Sequence, residues 1–187
     1  MTPIILASSS PRRKQLLEWA EVPFEIMVQD TDESYPAGLS MSDTAVHIAR
    51  NKALAVSVKH PSRIVLAADT IVVLGNRIIG KPAGREDALS TLASLSGQTH
   101  HVITGVVIIF NGKETAFADV TEVSFHELAD EGIRFYVDKY KPYDKAGAYA
   151  IQEWIGVTGI RSVQGDFYNV MGLPVSRVVQ ALQAITQ

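Results

Sequence analysis

The 187-residue chain has no cysteine. Disulfides, thiolate metal sites and a cysteine nucleophile are therefore excluded, and a reducing compartment suits the composition. No apolar run is long enough to span a bilayer, and the N-terminus lacks a basic region followed by an apolar stretch and a cleavage site. The cytoplasm is the expected location, with no membrane as partner. A basic excess is missing too: 17 Lys and Arg stand against 20 Asp and Glu, for a net charge of −3. That balance, without a basic stripe interleaved with aromatics, argues against nucleic acid as a partner. None of the five histidines (His47, His60, His100, His101, His126) has metal-ligand spacing with a second histidine and a carboxylate. The chain also lacks a Gly-x-Ser-x-Gly elbow, a Gly-Lys-Ser/Thr phosphate loop and a Gly-x-Gly-x-x-Gly turn, which sets aside P-loop NTPases and Rossmann dehydrogenases.

What is present reads as one domain over residues 1–187, without repeats, low-complexity segments or linkers. Strand Ile4–Ala7, helix Pro11–Ala20 and strand Phe24–Val28 come first. An acidic loop from Gln29 to Leu39 leads to a long helix, capped by Ser40 or Ser42 and reaching Lys59. Its residues Ala45, Ile48, Ala49, Ala53 and Val56 keep helical spacing. Strand Ile64–Ala68 is followed by a hairpin, Ile71–Leu74 and Arg77–Ile79, around Gly75-Asn76. Helix Glu86–Leu95 precedes a second hairpin, His101–Phe110 and Glu114–Phe125, around Asn111-Gly112. Helix Ala129–Val137, a Gly-rich irregular stretch from Lys141 to Gly172 and helix Pro174–Ile185 complete the chain. Alternating strands and helices followed by a long hairpin predict an α/β fold with a mixed sheet.

The densest chemical signal is Ser8-Ser9-Ser10-Pro11-Arg12-Arg13. A strand, three serines and a helix opening on proline place free N–H groups, hydroxyls and two guanidinium groups together. Cations oppose the dipole of a helix N-terminus, so the Arg pair either points to a bound anion, for which phosphate fits best, or is a chance pair at a solvated helix start. Asp69, after the run Ile64–Ala68, is expected at the strand end, where α/β sheets form their ligand crevice. It could hold a divalent cation or take a proton from water, or be a turn aspartate bonded to its own backbone. Glu33, in the loop with Asp30 and Asp32, offers the hard oxygen that Mg²⁺ or Mn²⁺ prefers, or is merely solvated. Lys52 sits among alanines and reads as a surface lysine covering apolar neighbours. Lys81, before Pro82, either turns toward Asp69 or belongs to a surface loop. Gln152 ends a small and apolar run. Its amide matches the N3–H and carbonyl edge of uracil or thymine, although a solvated strand end explains it as well.

Seven segments, in order along nearly the whole chain, resemble the Maf family of nucleoside triphosphate pyrophosphatases. They are Ala7-Ser8-Ser9-Ser10-Pro11-Arg12-Arg13, Ala49-Arg50-Asn51-Lys52-Ala53, Ala67-Ala68-Asp69-Thr70-Ile71-Val72, Gly80-Lys81-Pro82, Ser96-Gly97-Gln98-Thr99-His100, Asp144-Lys145-Ala146-Gly147-Ala148-Tyr149 and Asn169-Val170-Met171-Gly172-Leu173-Pro174. The resemblance implies an elongated α/β fold of the Maf/inosine-triphosphatase-like type, a mixed β-sheet flanked by helices. It implies hydrolysis between the α and β phosphates with a divalent metal, Mg²⁺ or Mn²⁺, and a homodimer. It assigns Asp69 as proton acceptor, with Lys52, Lys81 and Arg13 on the phosphates. Ser8 and Ser10 are assigned to substrate binding, Glu33 and Asp69 to the metal, and Arg12, Thr70 and Gln152 to specificity. The Arg pair and the glutamine resemble the branch acting on dTTP and UTP, ordinary or modified, which keeps such nucleotides out of nucleic acids; a sibling branch prefers 7-methyl-GTP. Glu153-Trp154-Ile155 departs from the small residues usual after the glutamine. Competing readings are a general pyrophosphatase for noncanonical bases and a non-catalytic nucleotide- or nucleic-acid-binding regulator of septum formation, since the family is linked to division arrest.

Overall fold

A computed structural model of the chain describes residues 3–186. In chain order the elements are β1 (Ile4–Leu6), α1 (Pro11–Trp19), β2 (Phe24–Ile26), α2 (Met41–Ser57), β3 (Val65–Leu74), β4 (Arg77–Ile79), α3 (Arg85–Leu95), β5 (Thr99–Phe110), β6 (Lys113–Phe125), α4 (Asp130–Tyr140), a 3₁₀ turn (Ala146–Ala148), α5 (Trp154–Gly159), β7 (Ile160–Gln164), α6 (Phe167–Met171) and α7 (Val175–Thr186). The strands form a mixed sheet in the order β2-β1-β3-β5-β6-β7, with β4 paired to β3. The expected α/β fold with a mixed sheet is borne out. The chain divides into two compact units: residues 3–70, 104–119 and 172–186, and residues 71–103 and 120–171.

In the first unit β1 pairs in parallel with both β2 and β3, Ile5 lying opposite Glu25 and Val65. Helix α2 lays Ala49, Ala53 and Val56 on Ile5, Ala7, Val65, Ala67, Val107 and Ile109. Alanines on the helix let it lie close to the sheet, and at Gly105 backbone meets backbone. A Cβ there would lie 2.3 Å from the Ala45 carbonyl carbon and from the Val46 nitrogen. The turn after β5 is the expected tight hairpin: Asn111 (φ 49°) and Gly112 (φ 74°) both adopt the left-handed geometry of such turns.

In the second unit β3 and β4 pair antiparallel, Val73 opposite Ile78, and β6 pairs antiparallel with β7, Val123 opposite Val163. Its core includes the rings of His100, Phe125 and Tyr149, whose centroids lie 5.1–5.5 Å apart. Asn169 ties α6 inward, its Nδ2 donating to the Val102 carbonyl at 3.1 Å and to Thr121 Oγ1 at 3.0 Å.

Two expectations are corrected. Asp69 does not end a strand: β3 continues through Asp69 and Thr70 to Leu74, absorbing the segment read as a separate strand. The polar pair breaks the apolar run but not the ladder, because strand pairing is made by backbone groups. The stretch from Lys141 to Gly172 is not irregular throughout. It holds the 3₁₀ turn, α5, β7 and α6, all too short to leave a periodic signal in a Gly-rich segment.

Candidate active site

Alternation along β3 sorts its residues between two faces. Val65 and Ala67 pack under α2, so Asp69 follows them to that face. Lys52, seven residues and two turns beyond Ala45, descends from α2 to meet it. Lys52 Nζ lies 2.6 Å from Asp69 Oδ1 and 2.7 Å from Glu33 Oε1. One ammonium is thus shared by two carboxylates, of which Asp69 is the more sheltered, at 15% side-chain exposure against 55% for Glu33. Lys52 is not the surface lysine that its alanine neighbours suggest. A lone lysine among alanines reads as solvated only until the strand beneath the helix is known.

Thr70 points to the opposite face, with Arg13. Ser10 caps α1 by accepting from the Arg13 backbone N–H at 3.4 Å, and Pro11 occupies the first helical position. Arg13 then turns inward and is 9% exposed. Its Nε donates to the Gly172 carbonyl at 2.8 Å, Nη1 to Ser8 Oγ at 3.1 Å and Nη2 to Thr70 Oγ1 at 3.0 Å. Three of the five guanidinium N–H groups are engaged in this way. Burial lowers the Arg13 pKa from its usual value, Asp69 opposes that shift, Arg12 adds to it, and Glu33 opposes it. Ser8 Oγ also accepts from Ser10 N at 3.2 Å. With two N–H groups donating to this oxygen, the hydroxyl proton is left to donate elsewhere, which is what a phosphate oxygen requires.

Thr70 Oγ1 lies 2.9 Å from Thr104 Oγ1 and 3.4 Å from the Gly172 carbonyl. Thr104 and the Gly172 carbonyl were missed by sequence reasoning. Gly172 lies within a quoted motif, but a carbonyl leaves no mark in a sequence, and Thr104 is one threonine in an apolar strand.

Ser8, Ser10, Arg12, Arg13, Glu33, Lys52, Asp69 and Thr70 therefore belong to the first unit, where the structure brings them around the start of α1 and the middle of β3. Lys81 and Gln152 belong to the second. Lys81 is exposed and lines a groove of about 230 Å³ with Arg77, Asp87, Ser90, Thr91 and Ser94. Gln152 is exposed on a turn closed by the Glu153 N–H donating to the Ala150 carbonyl at 3.1 Å. Among the described residues no group of three or more His, Asp or Glu side chains is arranged to hold a metal.

The profile of the family described as Maf-like protein matches residues 3–185. The chain belongs to the Maf family. A Maf relative from Cytophaga hutchinsonii is 49% identical over 182 residues, covering 97% of this chain and 84% of that one. Another from Bacillus cereus is 49% identical over 183 residues, covering 98% and 95%. Both carry the name dTTP/UTP pyrophosphatase. Among solved structures, a HAM1 protein from Coxiella burnetii aligns with a TM-score of 0.52 at 15% identity, over 98% of this Maf chain and 100% of that one. The Staphylococcus aureus Ham1 protein aligns with a TM-score of 0.53 at 15% identity, over the whole of both chains. These two establish the fold alone.

Proposed function

We propose that this Maf protein is a nucleoside triphosphate pyrophosphatase that converts dTTP and UTP to the monophosphate and pyrophosphate. The observation that carries the chemistry is the pair of carboxylates, Asp69 and Glu33, converging on Lys52 within 2.7 Å. The base preference is supported by the relatives' names and by the donor–acceptor amide of Gln152, read as the group that meets the N3–H and carbonyl edge of the base.

Asp69 is the general base in this reading. Lys52 holds its Oδ1, and Oδ2 takes a proton from water. The water oxygen bonds to phosphorus as the bond to the α–β bridging oxygen breaks. Cations must then balance charge developing on the phosphates, the main demand of this reaction class. Lys52 and Lys81 are the side chains proposed for it, with Ser8 donating its hydroxyl proton. Arg12 and Thr70 complete the specificity set, and Arg13 holds Ser8 and Thr70 in place.

A divalent cation, Mg²⁺ or Mn²⁺, fits the site in one way. Two carboxylates from the chain, with substrate phosphates and water supplying the other oxygens, is the ligand pattern typical of Mg²⁺. Asp69 and Glu33 would hold it, and it would supply charge neutralisation at the phosphates. The absence of cysteine and the net charge of −3 support a cytoplasmic enzyme that does not bind nucleic acid. The homodimer rests on the family resemblance.

The test is pyrophosphate release from dTTP, UTP, CTP, GTP, ITP and 7-methyl-GTP with Mg²⁺ or Mn²⁺. Strong turnover of dTTP and UTP, reduced by orders of magnitude in Asp69→Asn, is expected. Turnover by that variant at the wild-type rate overturns the assignment of the base.

A further inference from the structure

Strand β6 is 13 residues long, but β7 pairs only with its second half, from Glu122 to Phe125. Among the described residues no strand lies beside 113–119 on the side away from β5. This stretch is therefore a free edge, although β6 as a whole is an interior strand. Lys113, Glu114, Thr115 and Ala116 are all exposed. Such an edge presents a row of unpaired N–H and C=O groups, a template for another strand.

Two observations fix which backbone groups point outward. In an antiparallel pair the N–H and C=O of one residue point the same way, and that direction alternates along the strand. The two-residue turn Asn111-Gly112 sets Lys113 opposite Phe110, so its backbone groups turn inward to β5. The Ala118 carbonyl points outward, since it accepts from Arg177 Nη1 at 2.9 Å. Both give the same parity: Glu114, Ala116 and Ala118 turn their backbone groups out. Side chains alternate as well. The Glu114 carboxylate accepts from Arg50 Nη2 of α2 at 2.8 Å. Phe117 lies on the other face, its ring 4.2 Å from the Arg177 guanidinium. Lys113, Thr115 and Asp119 share that face by alternation.

This edge is complementary to itself. With a two-fold axis at Ala116, that residue meets its own copy and Glu114 meets Ala118, so outward groups face outward groups and each pair exchanges both backbone bonds. The Ala118 oxygen has a second lone pair for this bond. The same register sets Thr115 against Phe117 and Lys113 against Asp119, each twice by symmetry. An aromatic beside a β-branched residue and a lysine beside an aspartate are both favourable cross-strand pairs. Moving the axis by one residue in either direction parts the lysine from the aspartate.

We propose that the outer edge of β6, residues 113–119, is a self-pairing surface through which a second copy of this chain joins the sheet. Any extended peptide would find hydrogen bonds there; the placement of the charges selects a second copy. The contact is isologous and closes on itself, giving a dimer and not a fibre. The inference goes beyond the nucleotide chemistry and does not depend on it.

The experiment measures the mass of the full chain by sedimentation and cross-links single-cysteine variants with a short bis-maleimide, which the absence of native cysteine makes clean. The wild type is expected to be a dimer. Ala116→Cys, at the axis, is expected to cross-link about tenfold or more faster than Val157→Cys, an exposed position away from the edge. Lys113→Asp sets like charges against each other twice and is expected to weaken the dimer by about tenfold or more, while Lys113→Asp with Asp119→Lys restores opposite charges and most of the affinity. A wild type that is monomeric at about 0.1 mM overturns the inference. So does a dimer in which Ala116→Cys cross-links no faster than Val157→Cys, or which Lys113→Asp leaves unchanged, since the copies then meet through another face.

Discussion

Arg13 shows how far a residue's surroundings can change its meaning. In the sequence it is half of an Arg pair at a helix start, and the phosphate cradle is the natural conclusion. In the fold its guanidinium joins Ser8, Thr70 and the Gly172 carbonyl, three points distant in sequence. A lysine cannot reproduce that planar fork. Arg13→Lys loses at least two of the three hydrogen bonds, and is expected to lower stability by about 2 kcal/mol, read as a shift of the urea midpoint. An unchanged midpoint would show that the three bonds contribute nothing net. The candidate residues themselves were legible, because serine, arginine and aspartate in strand–loop–helix context point to phosphate chemistry. Their partners were not, since Thr104 and a carbonyl acquire meaning only from proximity.

At the scale of elements, the site depends on how α2 is seated. The helix was legible from its apolar spacing, and Ser40 caps it as expected, accepting from Asp43 N at 3.1 Å. Its depth on the sheet was not, because nothing in Thr104-Gly105-Val106 announces that Gly105 meets the backbone of Ala45. Gly105→Ala forces a methyl into that contact and must push the helix outward, at a cost of about 1–3 kcal/mol. Lys52 rides on the same face two turns away, so its contact with Asp69 lengthens as well. The variant is expected to melt at a lower temperature and to lose about tenfold or more in kcat on dTTP, a displacement near 1 Å being enough for such a loss. Wild-type kcat in a destabilised variant would separate helix seating from catalysis. The short elements between Lys141 and Gly172 escaped notice for a related reason: their positions are set by contacts such as those of Asn169, not by local periodicity.

At the scale of the whole molecule, stability should respond to acid through His100. The imidazole is completely buried; Nε2 pairs with Tyr149 Oη at 2.7 Å, and Nδ1 has no hydrogen-bond partner. Burial, with a smaller contribution from the charge on neighbouring His101, pushes its pKa down to about 4 from 6.5. Burial also raises the pKa of Tyr149, so both members of the pair stay neutral. Between those limits the unfolded chain binds the proton that the folded one refuses. Stability is therefore intact above about pH 6.5 and falls as the pH drops toward 4, by as much as about 3 kcal/mol from this group. Urea midpoints at pH 7.5, 6 and 5 check this, with His100→Gln expected to flatten the decline. The α/β class and the mixed sheet were readable from the succession of elements, whereas the strand order and this buried pair were not, since a histidine in an apolar strand gives no sign of its neighbour across the fold. The alternation of β3 carries one more consequence. Deleting or inserting a single residue between Val65 and Ala68 would send Thr70 toward Lys52 and Asp69 toward Arg13, leaving the composition nearly intact while exchanging the two halves of the chemistry. Reading frame in the gene thus has a counterpart in the strand, where parity alone decides which side chain meets the lysine.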